Sequence, residues 1–357
     1  MVENRMLLVY NDAIIWVNGI LLGRRASVVT LKDIARIAQV SPMTVSRVVN
    51  KQYAKVSPQT KERVLKIIKE QGYVPNSSAR SLSSKATRLI AIIVQGTDNA
   101  LEYPYNAAMA GHVCRFIQDK GYSPLLYFVN DYGEVTQRLR AWHVDGAIFM
   151  GMFDDDMRNI QEDHTIPLIF TDSYSQLRQV TNIGLNDYRG GELAGHYLLK
   201  MGHRNIGFLG ASTDLSTIVR QRYIGLRDSL KKESITLNDR CVIFDSLFES
   251  PARALMQSAQ RPTAIFAASD IEAIRLMDLV RNMGLSVPDD LSVIGFDNLP
   301  LSAFTSPRLT TIAQDIRQKA LLATEVLFRH ILDKSAPAEN IILNVKLVER
   351  ESVIKIL

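Results

Sequence analysis

The amino-acid sequence predicts a small all-α head followed by an α/β core of two lobes with parallel sheets. Its 357 residues suggest two or three domains at the usual domain size. Capped stretches with helical spacing dominate residues 28–74, whereas short apolar runs alternate with helical segments after Lys85. So many strand and helix units would make a very wide single sheet, so we expect two similar lobes.

The composition excludes several classes of protein. With 46% hydrophobic and 22% charged residues, the chain has the make-up of an ordinary globular protein, neither disordered nor membranous. Its two cysteines, Cys114 and Cys241, form no pattern of a disulfide framework or a zinc site. We therefore expect a cytoplasmic protein with no metal and no cofactor.

Residues 1–27 are expected to form an extension outside the fold. The segment Met6–Leu22 is apolar, but Asn11, Asp12 and Asn18 divide it into runs too short to span a bilayer. A basic pair follows this segment instead of preceding it, so a secretory signal is not indicated either.

Positive charge is concentrated in one small segment. Residues 28–85 contain 11 Lys and Arg against 3 Asp and Glu, a net charge of +8, whereas residues 86–357 carry −4. A compact cationic block is typical of a surface that faces nucleic acid or anionic lipid. The sequence therefore indicates that the head, and not the core, binds a polyanion.

Three helices are predicted in this cationic segment. With the capping residue in parentheses, they are Leu31–Gln39 (Thr30), a helix that starts at Pro42 (Ser41), and Pro58–Glu70 (Ser57). Only a tight turn around Val40 separates the first two helices, so they must pack at a steep angle. This arrangement is a helix-turn-helix.

The second helix presents its outer face to solvent or to a partner. An α-helix fits the major groove of DNA, where Arg47 can bridge O6 and N7 of guanine and Met43 can contact a thymine methyl. Pro42 and Met43 cannot form a bidentate bond to a base, so the base sequence that such a helix would recognise is not readable from the chain. A three-helix scaffold with a solvated basic face is the alternative interpretation. The outward-facing residues are Met43, Thr44, Ser46, Arg47 and Asn50.

Several motifs occur in the order of a known family. They are VTLKDIARIAQVSPMTVSRVVN (29–50), VSPQTKERVLKIIKEQGYVPNSSARSLSS (56–84), MGHRNIGFLG (201–210), VPDDLSVIGFDN (287–298) and SPRLTTIAQD (306–315). Over about residues 28–350 the chain resembles the LacI/GalR family of bacterial transcription regulators. The resemblance implies a homodimer or tetramer that binds a palindromic operator in double-stranded DNA. It also implies a small-molecule effector, most often a sugar or sugar derivative.

Residues 75–85 match the hinge of this family. In isolation a Ser-rich stretch after a proline is typical of a flexible linker. The resemblance implies that two hinges form short helices only on the operator, where Leu82 enters the minor groove as a wedge. The alternative is that Leu82 packs on the core. The complete set of predicted DNA-binding residues is Thr30, Ser41, Met43, Thr44, Ser46, Arg47, Asn50, Asn76, Arg80 and Leu82.

The core, residues 86–350, is expected to resemble periplasmic binding proteins, with a chain that crosses between its lobes more than once. The predicted strands are Leu89–Val94, Leu125–Val129, Gly146–Met150, Leu168–Thr171, Ile206–Leu209, Val242–Phe244, Ala264–Ala267 and Val293–Phe296. The predicted helices include Tyr105–Lys120, Tyr188–Met201 and Ile271–Met283.

Polar residues at strand ends are the candidates for effector binding, because ligands sit beyond the carboxyl ends of parallel strands. By family resemblance Asp172, Arg222 and Asp297 contact sugar hydroxyls. A carboxylate accepts from adjacent hydroxyls and a guanidinium donates in a planar fork, so the set suits polyols. Helix N-capping is the alternative for these aspartates and, more strongly, for Asp270.

Four further residues complete the predicted cleft. Gln314 aligns with a position that lines the cleft in the family, and Ser269 stands where relatives often carry Asn. Tyr103 and Tyr105 either stack on a sugar ring or pack in the ordinary way. The predicted effector-binding residues are therefore Tyr103, Tyr105, Asp172, Arg222, Ser269, Asp297 and Gln314.

Other features of the sequence do not indicate a metal site or a catalytic site. The run Asp154–Asp156 suits the opening of a helix better than a metal site. His203 is expected to be structural, because the six histidines show no HExxH-like spacing. Neither a GxxxxGK[ST] phosphate loop nor a GxSxG nucleophile elbow occurs.

The expected function is an effector-controlled transcription regulator, a repressor of carbohydrate-utilisation genes and not an enzyme. A glycoside hydrolase with Asp172 and Asp297 as paired carboxylates is the alternative, but it leaves the head and hinge without a purpose. A solute-binding protein of a transporter would need export and would lack the cationic head.

Overall fold

The structure is a computed structural model that describes residues 29–74, 86–96, 100–130, 132–151, 166–173, 180–210 and 217–356, with the backbone at 16–17 and 20–21. The chain forms two compact units, residues 1–85 and 86–357. Near the amino terminus, Trp16–Val17 (β1) and Ile20–Leu21 (β2) pair with each other as antiparallel strands. The other residues of 1–28 lie outside the described part, so the extension stays a prediction.

The head consists of three α-helices around a small apolar core. They are α1 (Leu31–Ile37), α2 (Pro42–Val49) and α3 (Pro58–Glu70). The predicted N-caps are confirmed, because the hydroxyl oxygens of Thr30, Ser41 and Ser57 each accept a bond from the backbone N–H three residues later. The buried core side chains are Ile34, Ala35, Ala38, Val45, Val48, Val64 and Tyr73.

The first helix ends at Ile37 and not at Gln39 as predicted. Gln39 has a φ of 52°, a left-handed conformation in which a right-handed helix cannot continue. The short turn that follows leads directly into α2, and the predicted helix-turn-helix is present.

The core alternates strands and helices along the chain. The strands are β3 (Leu89–Gln95), β4 (Ser123–Val129), β5 (Gly146–Met150), β6 (Leu168–Thr171), β7 (Thr181–Leu185), β8 (Ile206–Gly210), β9 (Val242–Phe244), β10 (Ala264–Ala267), β11 (Ser292–Asp297), β12 (Thr310–Ala313), β13 (Asn340–Leu343) and β14 (Lys346–Val348). The helices are α4 (Pro104–Asp119), α5 (Val135–Ala141), α6 (Asp187–Lys200), α7 (Thr217–Lys232), α8 (Glu249–Gln257), α9 (Asp270–Asn282) and α10 (Ile316–Leu332).

These strands form two six-stranded sheets, one in each lobe. The amino-terminal lobe has the order β13-β7-β6-β5-β3-β4, and all neighbouring strands are parallel. The carboxy-terminal lobe has the order β14-β12-β11-β10-β8-β9, which is parallel except for β14 beside β12. The predicted two-lobe α/β core with parallel sheets is therefore confirmed.

The described chain crosses between the lobes three times. The first crossing follows β7 at Asn186, the second follows β12 at residues 314–315, and the third joins β13 to β14 at residues 344–345. The Asn186 N–H donates to the Leu343 carbonyl at 3.0 Å, which ties the first crossing to the third. The expectation of more than one crossing is confirmed.

All eight predicted strands are present, but β7, β12, β13 and β14 were not predicted. The strand β12 begins with Thr310 and Thr311, both fully buried. The Thr310 hydroxyl oxygen accepts from the Arg350 N–H at 2.9 Å, and the Thr311 hydroxyl donates to Asp270 at 2.6 Å. Hydrogen bonds to residues far away in sequence offset the cost of burying these hydroxyls. The local sequence pattern does not reveal such bonds, so β12 could not be predicted from it.

No helix in the described part of the chain is long and apolar enough to cross a membrane.

The helices α6 and α7 touch backbone to backbone at two glycines. A Cβ at Gly191 would lie 2.0 Å from the Arg222 carbonyl oxygen, and one at Gly225 would lie 2.0 Å from the Tyr188 carbonyl oxygen. No side chain fits at either position while the helices keep this separation. The contact places the backbone of Arg222 against α6.

Gly225→Ala should therefore lower the free energy of unfolding by about 1–3 kcal/mol, because the new methyl group forces the two helices apart. Gly111→Ala is the matched control, since this glycine of α4 is exposed and a Cβ there meets nothing within 4 Å. The control should gain about 0.5–1 kcal/mol from helix propensity. Urea unfolding of the three proteins measures both effects, and equal stabilities would contradict the close packing.

Candidate functional site

The outer face of α2 carries two pairs of neighbouring side chains. Met43 is 63% exposed, and the Arg47 Nη2 donates to its Sδ at 3.5 Å, one helical turn away. The Asn50 Nδ2 donates to the Ser46 Oγ at 3.3 Å. The Ser41 and Thr44 hydroxyls lie 3.0 Å apart at the start of the helix. One face of α2 thus presents a guanidinium, an apolar thioether, a carboxamide and hydroxyls.

Three of the predicted DNA-binding residues, Asn76, Arg80 and Leu82, lie outside the described residues. Their roles stay predictions. The same holds for the run Asp154–Asp156.

In the amino-terminal lobe, a buried lysine holds the predicted effector residues Asp172 and Tyr105 together. The Lys319 Nζ on α10 donates to both carboxylate oxygens of Asp172 at 2.5 Å and to the Tyr105 Oη at 2.9 Å. The Tyr105 hydroxyl donates in turn to the Asp172 Oδ2 at 3.0 Å. Burial and the charge of Asp172 raise the pKa of Tyr105 well above its usual value, so the hydroxyl stays protonated.

Lys319 is completely buried and was not among the predicted site residues. It was detectable in principle, because Lys319 lies on the same face of α10 as the buried Ala320, Ala323 and Leu327. A lysine on the apolar face of a helix needs an anionic partner, since an unpaired buried charge is very costly. The sequence could have indicated a buried carboxylate nearby without saying which one.

In the carboxy-terminal lobe, Arg222 is fixed in place by three neighbours. Its Nε donates to the Asp187 Oδ1 at 2.8 Å, and its Nη1 donates to the Ala268 carbonyl at 2.6 Å. The guanidinium also stacks over the Phe296 ring, 3.4 Å from the centroid. The side chain of Asp187 is fully buried, so this is a buried ion pair. Asp187 was also missed in the sequence, where it looks like an ordinary residue at the start of a helix.

Asp297 and Gln314 form a second buried pair in the same lobe. The Gln314 Nε2 donates to the Asp297 Oδ1 at 2.6 Å, whereas the buried Gln314 Oε1 accepts no hydrogen bond from the described residues. Asp297 has a φ of 114°, in the region that favours glycine. Burial raises the pKa of Asp297 to about 6, although the charge of Arg222 acts in the opposite direction.

Glu272 is a further acidic residue of this lobe. Ser269 caps α9 by accepting from the Glu272 N–H at 3.2 Å, and its hydroxyl donates to the Glu272 Oε2 at 3.1 Å. Burial raises the pKa of Glu272 to about 7, with Arg222 lowering it and Asp297 raising it. The predicted residue Ser269 therefore serves as the N-cap of α9. Its hydroxyl also binds Glu272, an additional carboxyl group whose pKa responds to Asp297.

The two clusters act on each other across the lobes. The charge of Lys319 in the amino-terminal lobe lowers the pKa of Asp297 in the carboxy-terminal lobe. In the other direction, the charge of Asp297 raises the pKa of Tyr105 and the charge of Arg222 lowers it. Five of the seven predicted effector residues therefore lie in two facing clusters, which are Tyr105 and Asp172 on one side and Arg222, Asp297 and Gln314 on the other.

Two further polar candidates, Asp270 and Tyr103, do not belong to either cluster's hydrogen bonds among the described residues. Asp270 is not the N-cap of α9, because Ser269 is. Its carboxylate is completely buried and accepts from the Leu299 N–H at 2.7 Å and the Thr311 hydroxyl at 2.6 Å, so it holds the loop after β11. Tyr103 is 58% exposed, and its side chain makes no hydrogen bond or ring contact with the described residues.

His203 lies inside the carboxy-terminal lobe. Its Nδ1 is 2.9 Å from the Thr263 hydroxyl and its Nε2 is 3.1 Å from the Ile354 carbonyl. Burial lowers the pKa of this imidazole, which favours the neutral ring. The two bonds link His203 to Thr263, just before β10, and to Ile354.

A helix-turn-helix head on a two-lobed core with facing polar clusters defines a ligand-responsive DNA-binding protein. Residues 30–76 match the family described as bacterial regulatory proteins, lacI family, and residues 196–353 match a periplasmic binding protein-like domain. The chain belongs to the LacI family, whose members are DNA-binding transcriptional repressors with an effector-binding domain and are not enzymes.

Two relatives and one solved structure illustrate the similarity. The HTH-type transcriptional repressor PurR of Mannheimia succiniciproducens is 34% identical over 339 residues, which cover 92% of this chain and 99% of that one. The ribose operon repressor of Haemophilus influenzae is 31% identical over 334 residues, with 91% and 98% coverage. The Lac repressor dimer bound to operator and the anti-inducer ONPF has a TM-score of 0.79 at 28% identity, with 91% and 99% coverage.

Lys319→Met should lower the free energy of unfolding by about 3–5 kcal/mol, because Asp172 is left buried without its cation. The double variant Lys319→Met with Asp172→Asn should recover much of that loss, since no uncompensated charge remains. Asn also tolerates the φ of 58° at residue 172. Denaturant unfolding of the single and double variants measures the coupling, and simple additivity would contradict the ion pair.

Asp297→Asn should change how stability depends on pH. A carboxyl whose pKa is raised to about 6 in the folded chain binds more protons when folded than when unfolded. It therefore adds stability as pH falls from about 7 towards 4 and removes stability as pH rises. The wild type should gain more than the variant when the pH is lowered from 7 to 5, as measured by urea midpoints at each pH. Parallel midpoint curves would show that Asp297 does not titrate in this range.

Proposed function

We propose that this chain is a homodimeric repressor, or a tetrameric one, that binds a palindromic operator through paired heads and responds to a sugar-like effector held between the lobes of its core. The facing clusters around Lys319 and Arg222 are the observation that carries this proposal. They place buried hydrogen-bonding groups on both sides of one interlobe space, as a small polar ligand requires. We infer a cytoplasmic location, because the operator lies there.

A polyol suits these groups by their chemistry. Asp172 and Asp297 are carboxylates, which accept hydrogen bonds from adjacent hydroxyls, and Gln314 adds an amide oxygen without a partner among the described residues. The name of the related ribose operon repressor, 31% identical to this chain, points towards carbohydrate genes. Tyr103, Tyr105, Arg222 and Ser269 complete the proposed contact set.

The proposed contacts with DNA are of two kinds, those that recognise bases and those that bind the DNA backbone. Arg47 reads guanine and Met43 contacts a thymine methyl in the major groove, since both lie on the exposed face of α2. Polar groups near the helix start position the head on phosphates. In the hinge, Leu82 enters the minor groove. The proposed backbone-binding residues are Thr30, Ser41, Thr44, Ser46, Asn50, Asn76 and Arg80.

The proposed signal is a change in the angle between the lobes. The three crossings are the only connections of the described chain between the two sheets, so they are the natural hinge points. An effector that contacts both clusters favours one angle over another and thereby shifts the population of operator-competent dimers. An effector with equal affinity for both states would change nothing.

The alternative of a glycoside hydrolase is wrong. The chain belongs to a family of repressors, and both carboxylate oxygens of Asp172 accept from Lys319. A carboxylate held in this way is a poor nucleophile or proton donor for glycoside cleavage.

Arg47→Ala should abolish the preference for the natural operator over scrambled DNA, because a guanine contact is worth about 1–3 kcal/mol of discrimination. Arg63→Ala is the matched control, since Arg63 is an exposed arginine of α3, away from the reading helix. The control should lower affinity for both DNAs alike and keep the preference. Gel shifts on the upstream regions of the neighbouring genes measure both ratios.

The same gel shifts test the proposed function as a whole. Wild-type protein should show sequence-specific retardation that weakens steeply with salt, and a sugar should change it. Sequence-blind attachment with and without sugars would overturn the proposal. An unaltered preference in Arg47→Ala would contradict the role of Arg47 alone.

A further inference from the structure

The charges in the interlobe space do not balance. Lys319 is paired with Asp172 and Arg222 is paired with Asp187, so these four charges cancel in two buried ion pairs. Asp297 and Glu272 remain, and neither forms an ion pair with a cation of the described residues. Among the described residues the space therefore holds two acidic groups in excess of its ion pairs, and the neighbouring buried Asp270 is a third carboxyl group, whose pKa the charge of Asp297 raises.

Hydrogen-bond donors and acceptors in this space are also unequally matched, because the Lys319 donors have acceptors whereas one Gln314 acceptor has no donor among the described residues. All three protons of the Lys319 ammonium have acceptors, on Asp172 and Tyr105. The Gln314 Nε2 donates to Asp297. The Gln314 Oε1 is buried, since the residue is only 9% exposed, and this oxygen accepts nothing from the described residues. A buried acceptor without a donor is costly, and a ligand that donates hydrogen bonds removes this cost.

An anionic ligand has no cation available to it among these groups. A phosphate or carboxylate would have to share Arg222 with Asp187 or Lys319 with Asp172, close to the further carboxyl groups of Asp297 and Glu272. Repulsion between like charges therefore weakens the binding of an anion. The arrangement thus disfavours sugar phosphates and sugar acids.

We propose that the effector is an amino sugar or a related hydroxylated amine, whose ammonium group binds the Asp297 and Glu272 carboxylates and whose hydroxyls donate to the Gln314 amide oxygen. The inference rests on the proposed function, in which the interlobe space binds the effector. It names the charge class of that effector. An ammonium supplies the positive charge that Asp297 and Glu272 do not find in an ion pair with the described residues, and it supplies several hydrogen-bond donors.

The protonation of the two carboxyl groups supplies a signature of this binding. Burial raises the pKa of Asp297 to about 6 and of Glu272 to about 7. A bound ammonium lowers both pKa values, so binding releases protons near neutral pH and the affinity rises as pH increases from 5.5 to 7. The charged and polar groups that act on this pair are Asp187, Asp270, Arg222, Ser269, Gln314 and Lys319.

The first test is calorimetric titration of the full chain with matched forms of one sugar. The probes are glucosamine, glucose, glucuronate and glucose 6-phosphate, and the corresponding galactose series. We expect one amine to bind at least about 10-fold more tightly than its neutral parent, with proton release, and the anionic forms not to bind. A neutral or anionic form that binds as tightly as its amine overturns the proposal, and so does the failure of every amine to bind.

The second test uses Glu272→Gln, which mimics the protonated carboxyl at every pH. This variant should weaken amine binding about 10-fold, weaken binding of the neutral parent much less, and reduce the pH dependence between 5.5 and 7, where Asp297 still titrates. Glu233→Gln is the matched control, because Glu233 is an exposed glutamate of the same lobe. A loss that is equal for amine and neutral parent, with an unchanged melting temperature, would overturn the role of Glu272.

Operator gel shifts with the same probes separate this inference from the proposed function. If glucose or galactose changes operator binding and no amine does, the proposed function stands and the amine inference fails. If the chain binds DNA without sequence preference and ignores every probe, both fail.

Discussion

Buried charges in this core must be paired, and the Lys319–Asp172 contact is the pair on which the arrangement of the proposed effector site depends. Lys319 is completely buried on α10, and it holds the residue after β6 and a tyrosine of α4 in one cluster. Without it, Asp172 would be a buried anion with no compensating charge. The position of one lysine therefore determines how three separate elements of the amino-terminal lobe meet.

The carboxy-terminal lobe also contains a buried ion pair, and here the close packing of two helices holds it in place. Arg222 pairs with Asp187, and its own backbone lies against Gly191 at the close contact of α6 and α7. The glycines permit the helices to approach, and the approach brings the two charges of the pair together. Packing and electrostatics are thus coupled here, because a side chain at Gly191 would displace the residue that neutralises Asp187.

Much of the fold followed from local patterns. Caps at Thr30, Ser41 and Ser57 and the turn at Val40 indicated the head, and eight apolar runs indicated eight strands that are present. The missed strands include β12, whose threonines are buried because distant side chains bond to them. Residues that bind each other across 147 positions of sequence, as Lys319 and Asp172 do, leave no local periodic signal.

The sequence by itself determined the class of protein: a cationic helix-turn-helix joined to a two-lobed α/β core. Caps, turns and apolar periodicity act over a few residues, so they can be read from the chain directly. Only the tertiary structure decided which charges are neutralised. It paired Lys319 with Asp172 and Arg222 with Asp187, and it left Asp297 and Glu272 without a cation among the described residues. The reason is that the net charge of a site depends on which side chains meet, and that depends on the packing of elements far apart in sequence.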